Sequence, residues 1–300
     1  MSVFQTLIMI VLMLDFIYTD EDMVCTSNHK CIPASDCQET GDILYPCNEN
    51  FTHVCCSLEN TVQIQNRLSM FPLDCGIVSV TDRIIAGELA AIGQFPWMAL
   101  LGYKQRGLNI AQFLCGGSII TKNYILTAAH CISIDARLKL QVVRLGEYNL
   151  ETSEDCDGSV CSTHVDIGID RIIVHEQYNN MTLENDIAII KLRNNINFTD
   201  YIRPICLPFD NETDHTLVPG AKLTVSGWGK TDSANIGGSF KLMYTGVNIW
   251  DAIKCNNSVP PRIRPIRESQ ICANGKEKQD SCKGDSGGPL VNSTLIDNDY

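Results

Sequence analysis

Fifteen cysteines in 300 residues constrain this chain more than any other feature of its sequence. A reducing compartment rarely holds thiols at that density without metal sites, so the pattern reads as a disulfide framework in an oxidising environment. Six of them crowd into one short stretch: Cys25, Cys31, Cys37, Cys47, Cys55 and Cys56. A segment that small cannot hold a fold by apolar burial alone and relies on crosslinks. Six cysteines allow many pairings, and spacing alone leaves them open. A zinc knuckle is disfavoured, because the stretch has no C-x-x-C pair. The odd total leaves one cysteine over, which either joins another molecule or has lost its partner.

The N-terminus agrees with an oxidising destination. Residues 4–14, "FQTLIMIVLML", are an apolar run too short to span a bilayer and of the length of a secretory signal core. We place a signal peptide over residues 1–19, with cleavage between Ile17 and Asp22. Six N-x-[ST] sequons begin at Asn50, Asn180, Asn197, Asn211, Asn256 and Asn292, and in a secreted chain such sites are glycan acceptors on surface loops. The net charge is −12 and the pI about 4.9. With no basic run, that balance argues against nucleic acid or an anionic membrane as partner.

Residues 57–83 are polar and without periodicity, and read as a linker or propeptide carrying Cys75. From Ile84 the texture changes. Short runs rich in Val and Ile alternate with turn residues, among them "QFPWMALLGY", "CGGSIITKNYILTAA", "NDIAIIKL" and "AKLTVSGWG". Each has the length of a strand, and helical periodicity is rare. This predicts an all-β sandwich or barrel.

Three motifs follow in order. "TAAHC" carries His130, "NDIAIIKL" carries Asp186 just before an apolar strand, and "GDSGGP" carries Ser286. A serine hydroxyl needs a base within hydrogen-bond reach to act as a nucleophile. Imidazole titrates near neutrality, and a buried carboxylate fixes its tautomer and stabilises the imidazolium. Glycines around Ser286 suit a tight turn whose amides face a developing oxyanion. Each motif alone has an ordinary reading: a histidine beside a disulfide, a cap residue, a surface turn. All three in order, flanked by cysteines, point to acyl transfer.

On these motifs residues 84–300 resemble the catalytic domain of trypsin-like serine proteases of the chymotrypsin fold, whose triad runs in the order His, Asp, Ser. Residues 25–56, ending in the pair Cys55-Cys56, resemble the clip module that precedes arthropod proteases of this family. The whole chain is similar to clip-domain serine proteases of the easter-like, prophenoloxidase-activating and venom types. The resemblance implies a double six-stranded Greek-key β-barrel behind a small disulfide-rich clip domain. It makes His130 base then acid, Asp186 its orienting group, Ser286 the nucleophile, and the amides of Gly284 and Ser286 the oxyanion hole. Asp280, six residues before the serine, matches the base of a specificity pocket for Arg or Lys. Arg83 matches an activation cleavage site, and the freed Ile84 terminus would pair with Asp285. Ala86 stands where a glycine is usual.

The same resemblance implies the pairs Cys25–Cys55, Cys31–Cys47 and Cys37–Cys56 in the clip domain. It implies Cys75–Cys206, Cys115–Cys131, Cys156–Cys161 and Cys255–Cys272 elsewhere, leaving Cys282 with a partner beyond the serine. The family continues past that serine, so we expect a C-terminally incomplete catalytic domain lacking the last strands of its second barrel. No cofactor is required, although the loop "LGEYNLETSEDCDG" resembles one that binds calcium, with Glu147 and Asp155 as ligands. The expected function is that of a secreted zymogen in an extracellular cascade, immune or developmental. Its partners would be protein substrates such as downstream zymogens, an upstream trypsin-like activator and serpin inhibitors. The rival reading is a catalytically dead, truncated clip protein acting as a binding cofactor in such a cascade. A digestive trypsin fits poorly with the cysteine-rich N-terminal module.

Overall fold

The computed structural model describes the backbone of residues 3–5, 29–33, 45–46 and 53–57. It then describes residues 71–72, 74–78, 89–105, 107, 111–208, 217–229, 238–267, 270–275 and 284–292. The chain divides into two compact units, residues 14–73 and residues 1–13 with 74–300. Asp74 and Cys75, placed in the linker by the sequence, count with the larger unit.

The smaller unit carries an antiparallel sheet in the order β2-β4-β3, with β2 His29–Pro33, β3 Tyr45–Pro46 and β4 His53–Ser57. Cys31 stands opposite Cys55 in the β2–β4 register, and Lys30 opposite Cys56. The three bridges expected for this module depend on side chains outside the described residues.

The larger unit contains a closed six-stranded barrel in the order β11-β12-β7-β6-β5-β8. Its strands are β5 (Met98–Gln105), β6 (Ala111–Ile119), β7 (Tyr124–Thr127), β8 (Leu138–Leu145), β11 (Val165–Val174) and β12 (Ala188–Leu192). Between β8 and β11 lies an exposed hairpin of β9 (Glu154–Asp157) and β10 (Val160–Thr163), closed by Cys156–Cys161. The barrel core is aliphatic with one phenol: Leu101, Tyr103, Ile119, Ile125, Val143, Leu145 and Ile190 are all buried. β5 and β12 are buried almost without interruption, while β8 alternates, as expected where one strand is covered on both faces and another turns one face to water.

A second sheet has the order β1-β15-β14-β13-β16. Its strands are β1 (Val3–Gln5), β13 (Lys222–Gly227), β14 (Met243–Ile249), β15 (Gln270–Asn274) and β16 (Leu290–Val291). Residues 3–5, inside the expected signal segment, pair with Gln270–Cys272. Leu223, Val225, Val247, Ile249 and Ala273 form its core. Before β15, the short helix α1 (Ala252–Ser258) is started by Asp251, whose Oδ1 accepts from the Lys254 amide at 2.7 Å. Cys255 of this helix is bridged to Cys272 of β15. Among the described residues no helix is long and apolar enough to cross a membrane.

Candidate active site

His130 sits on a single 3-10 turn, Ala129–Ser133, directly after β7. Cys131, the next residue, is joined to Cys115 of β6, so the turn is crosslinked to the barrel wall. The buried phenol of Tyr103 donates from inside the barrel to the Cys131 carbonyl at 2.6 Å. Burial pushes that phenol well above its ordinary range, so it stays a neutral donor.

Asp186 reaches this turn from the loop ahead of β12. Its Oδ1 accepts the His130 backbone amide at 2.7 Å and its Oδ2 lies 2.7 Å from the ring Nδ1. A carboxylate at Nδ1 fixes the proton there and leaves Nε2 as the acceptor. The Asp186 side chain is 13% exposed and the His130 side chain 37%, so the acid is sheltered and the ring edge is open. Tyr178, in the same loop, has its phenol pushed up to about 12, first by burial and then by the Asp186 charge.

Ser286 lies in the turn before β16. Its carbonyl accepts from Gly116 of β6 at 2.8 Å, and the Gly288 amide donates to the Asp285 carbonyl at 3.0 Å. Gly287 holds φ 79°, and a Cβ there would stand 2.3 Å from Thr127 Oγ1; only glycine fits. Thr127 Oγ1 itself donates to the Gly116 carbonyl at 2.8 Å. The Cys131 sulfur stands 3.7 Å from His130 Nε2 and 3.5 Å from the Ser286 carbonyl oxygen. The serine turn and the histidine turn therefore meet at one disulfide. Among the described residues no hydrogen bond joins Ser286 Oγ to the ring, a bond that often tightens only when substrate binds.

Gly284 adopts φ 116° two residues before the serine. Asp285 lies against the "SGWG" segment at the end of β13, and its Oδ1 accepts the Gly229 amide at 2.6 Å. A Cβ on Gly227 would come 2.1 Å from Asp285 Oδ1, and one on Gly229 2.3 Å from Oδ2. Those two glycines are the floor of the Asp285 cradle, and the sequence reading missed them. The missed signal is "GWG" itself, two glycines around a tryptophan at a strand end. Arg83, Ile84, Ala86, Asp280 and Cys282 lie outside the described residues.

The two residues read as calcium ligands are each engaged by other groups of the protein. Glu147 is buried, with Oε2 at 3.2 Å from Arg144 Nη1 and 3.3 Å from His164 Nδ1, while Oε1 accepts the Tyr148 amide. Burial raises its pKa, opposed by His164 and Arg144. Asp155 accepts from the Asn149 amide at 3.0 Å and from the Thr152 hydroxyl. A hard cation needs several oxygens around one point; here a guanidinium and an imidazole face Glu147, and the donors present do not fit calcium. Among the described residues, the groups of three that do converge, Cys115-His130-Cys131 and Glu154-Cys156-Cys161, use sulfurs already joined in disulfides. The remaining described bridges are Cys75–Cys206 and Cys255–Cys272, with S–S distances of 1.99 and 2.03 Å.

Comparison with known proteins places this geometry. The trypsin family model matches residues 84–296. Phenoloxidase-activating factor 1 of Holotrichia diomphalia is 38% identical over 283 residues, covering 90% of this chain and 75% of that protein. Spaetzle-processing enzyme of Drosophila melanogaster is 37% identical over 229 residues, covering 72% of this chain and 56% of that protein. The crystal structure of the Drosophila Grass clip serine protease of the Toll pathway superposes with a TM-score of 0.67 at 35% identity, covering 79% of this chain and 67% of that one. The fold that carries the histidine turn, the sheltered acid and the serine turn is thus similar to that of the Grass protease, and the chain belongs to the trypsin family of serine proteases, alongside its clip-domain members.

Proposed function

We propose that this protein is a secreted serine endopeptidase zymogen that cleaves after Arg or Lys in an extracellular cascade, immune or developmental. The observation that carries the reading is the pair of hydrogen bonds from His130 to Asp186, made beside the disulfide that also touches the serine turn. His130 Nε2 takes the Ser286 hydroxyl proton as Oγ attacks the scissile carbonyl carbon. The oxyanion is received by the Gly284 and Ser286 amides. His130 then returns the proton to the leaving amine, and water repeats the sequence on the acyl-enzyme. Asp280 at the pocket base pairs with the cationic P1 side chain.

Cleavage after Arg83 switches the enzyme on. The new Ile84 ammonium pairs with Asp285 and orders the loop that presents Gly284 and Ser286. The glycine cradle of Asp285 supports this, since it keeps that carboxylate beside the serine turn. A trypsin-like activator, protein substrates that include downstream zymogens, and serpin inhibitors complete the cascade, and the names of the relatives fit protein processing. Secretion rests on the disulfides and the N-terminal apolar run. The test is arginyl-ester hydrolysis by the protein with a complete catalytic domain after cleavage at Arg83, with Ser286→Ala as control. Activity that needs both cleavage and Ser286, and that prefers Arg or Lys at P1, is expected. A cleaved, folded chain without activity would favour a binding role.

A further inference from the structure

The loop between β11 and β12 delivers Asp186 to the imidazole by an unusual backbone path. Leu183 and Asn185 hold φ of 58° and 56°, the left-handed region, which a leucine occupies only at a steric cost. Such conformations persist where their surroundings over-determine them. Part of the restraint is internal. The Leu183 amide donates to the Asn179 carbonyl at 2.8 Å, the Asn179 amide to the Glu184 carbonyl at 3.0 Å, and Asn185 Nδ2 to the Gln177 carbonyl at 2.9 Å.

The rest comes from the second sheet. Gln270, buried at the start of β15, donates from Nε2 to the Leu183 carbonyl at 3.3 Å. Its Oε1 accepts the Arg267 amide at 3.0 Å. Arg267 Nε donates in turn to Glu184 Oε1. The Leu183 side chain packs on the cluster of Cys255, Val259 and Ile263. We propose that Gln270, aided by the Arg267–Glu184 pair, is a positioning residue for Asp186: a clasp from the second sheet that holds the left-handed loop and so fixes the carboxylate against His130.

The two parts of the clasp are unequal. Glu184 and Arg267 are 29% and 51% exposed, and an ion pair that open to water contributes little. Gln270 is buried, and its loss leaves a main-chain carbonyl and a main-chain amide without that partner. The clasp therefore rests on Gln270. As a claim about catalysis it depends on the proposed function, but the bond it protects can be observed without turnover.

The test is the low-field proton NMR resonance of the His130 Nδ1–H bonded to Asp186, recorded on the full chain. Gln270→Glu keeps the acceptor for Arg267 and removes the donor to Leu183; Gln270→Met keeps the bulk and removes both, and stands in should the first fail to fold. Either variant is expected to broaden or shift the resonance, and by more than Glu184→Gln does. In the cleaved chain the Gln270 variants should lower kcat for a small ester by about tenfold to 10²-fold, the scale of a 1 Å misplacement, with KM nearly unchanged. A resonance and kcat that stay at wild-type values in both Gln270 variants overturn the clasp. A wild-type chain that shows the resonance but no turnover overturns the proposed function and leaves the clasp standing. A wild-type chain lacking the resonance overturns the clasp, since no fixed pair exists to be positioned.

Discussion

Asp186 grips His130 twice, through the main-chain amide and the ring, so its carboxylate sets both the place of the turn and the tautomer of the imidazole. Asp186→Asn keeps the shape but offers an amide where a second acceptor is needed. We expect kcat to fall by about 10⁴, on the order of 5 kcal/mol in the barrier, with the thermal midpoint little moved. A second residue-scale prediction concerns acid stability. Arg144 donates to both oxygens of Asp166, at 2.7 and 2.9 Å, and holds that carboxyl below the usual carboxylate range. Its stabilising contribution is therefore whole above the unfolded value of about 3.9 and is lost as pH falls through the lower folded value. Asp166 is 42% exposed, which limits the effect to about 1 kcal/mol or less. Urea midpoints below pH 4 should drop further for the wild type than for Asp166→Asn. The contact between His130 and Asp186 was legible because each residue sits in a local word that carries its own chemistry. The Asp285 cradle was not, because a glycine records only what must be missing, and Asp285 is 56 residues away from Gly229 in sequence. Gly229→Ala tests it: the Cβ would meet the carboxylate, costing about 1–3 kcal/mol and slowing the response to cleavage at Arg83.

At the scale of elements, strand patterns in the barrel were readable wherever β-branched runs ended at turn residues. "NDIAIIKL" became β12, with Asp186 just outside it, because the buried run Ala188–Leu192 cannot hold a carboxylate in its middle. The hairpin of β9 and β10 was read only as part of a loop closed by Cys156–Cys161. Its strands are four residues each and mostly exposed, so no apolar period marks them, and a disulfide takes the place of a core. α1 escaped for the same reason: Asp251 and Cys255 hold it, with little amphipathic pattern. Crosslinks are thus carrying local structure, and their worth should scale with the loops they close. Cys156 and Cys161 are 5 apart, Cys75 and Cys206 131 apart. The chain-entropy relation gives about 2 kcal/mol for the first and about 5 kcal/mol for the second. Paired Cys→Ser variants should lower the denaturation free energy in that order, and a larger loss for the hairpin pair would show that it acts through native contacts.

For the whole molecule, the bridge from Cys75 to Cys206 matters most because of where the chain is expected to be cut. Arg83 falls between the two cysteines, so cleavage there separates the first 83 residues from the rest in sequence but not in covalent structure. The Gly76 amide reinforces the junction, donating to the Pro204 carbonyl at 2.9 Å. A non-covalent attachment would depend on concentration, whereas a disulfide keeps the N-terminal module with the protease domain at any dilution. We therefore expect that a trypsin-like enzyme acting at Arg83 leaves a single species on a non-reducing gel, at the position of the uncut protein. Reduction should resolve it into two pieces. Cys206→Ser should release the N-terminal piece without reductant while leaving the Arg83 bond just as cleavable. Release from the wild-type protein under non-reducing conditions would mean that the bridge does not form, and the module would then act apart from the protease once activation has occurred.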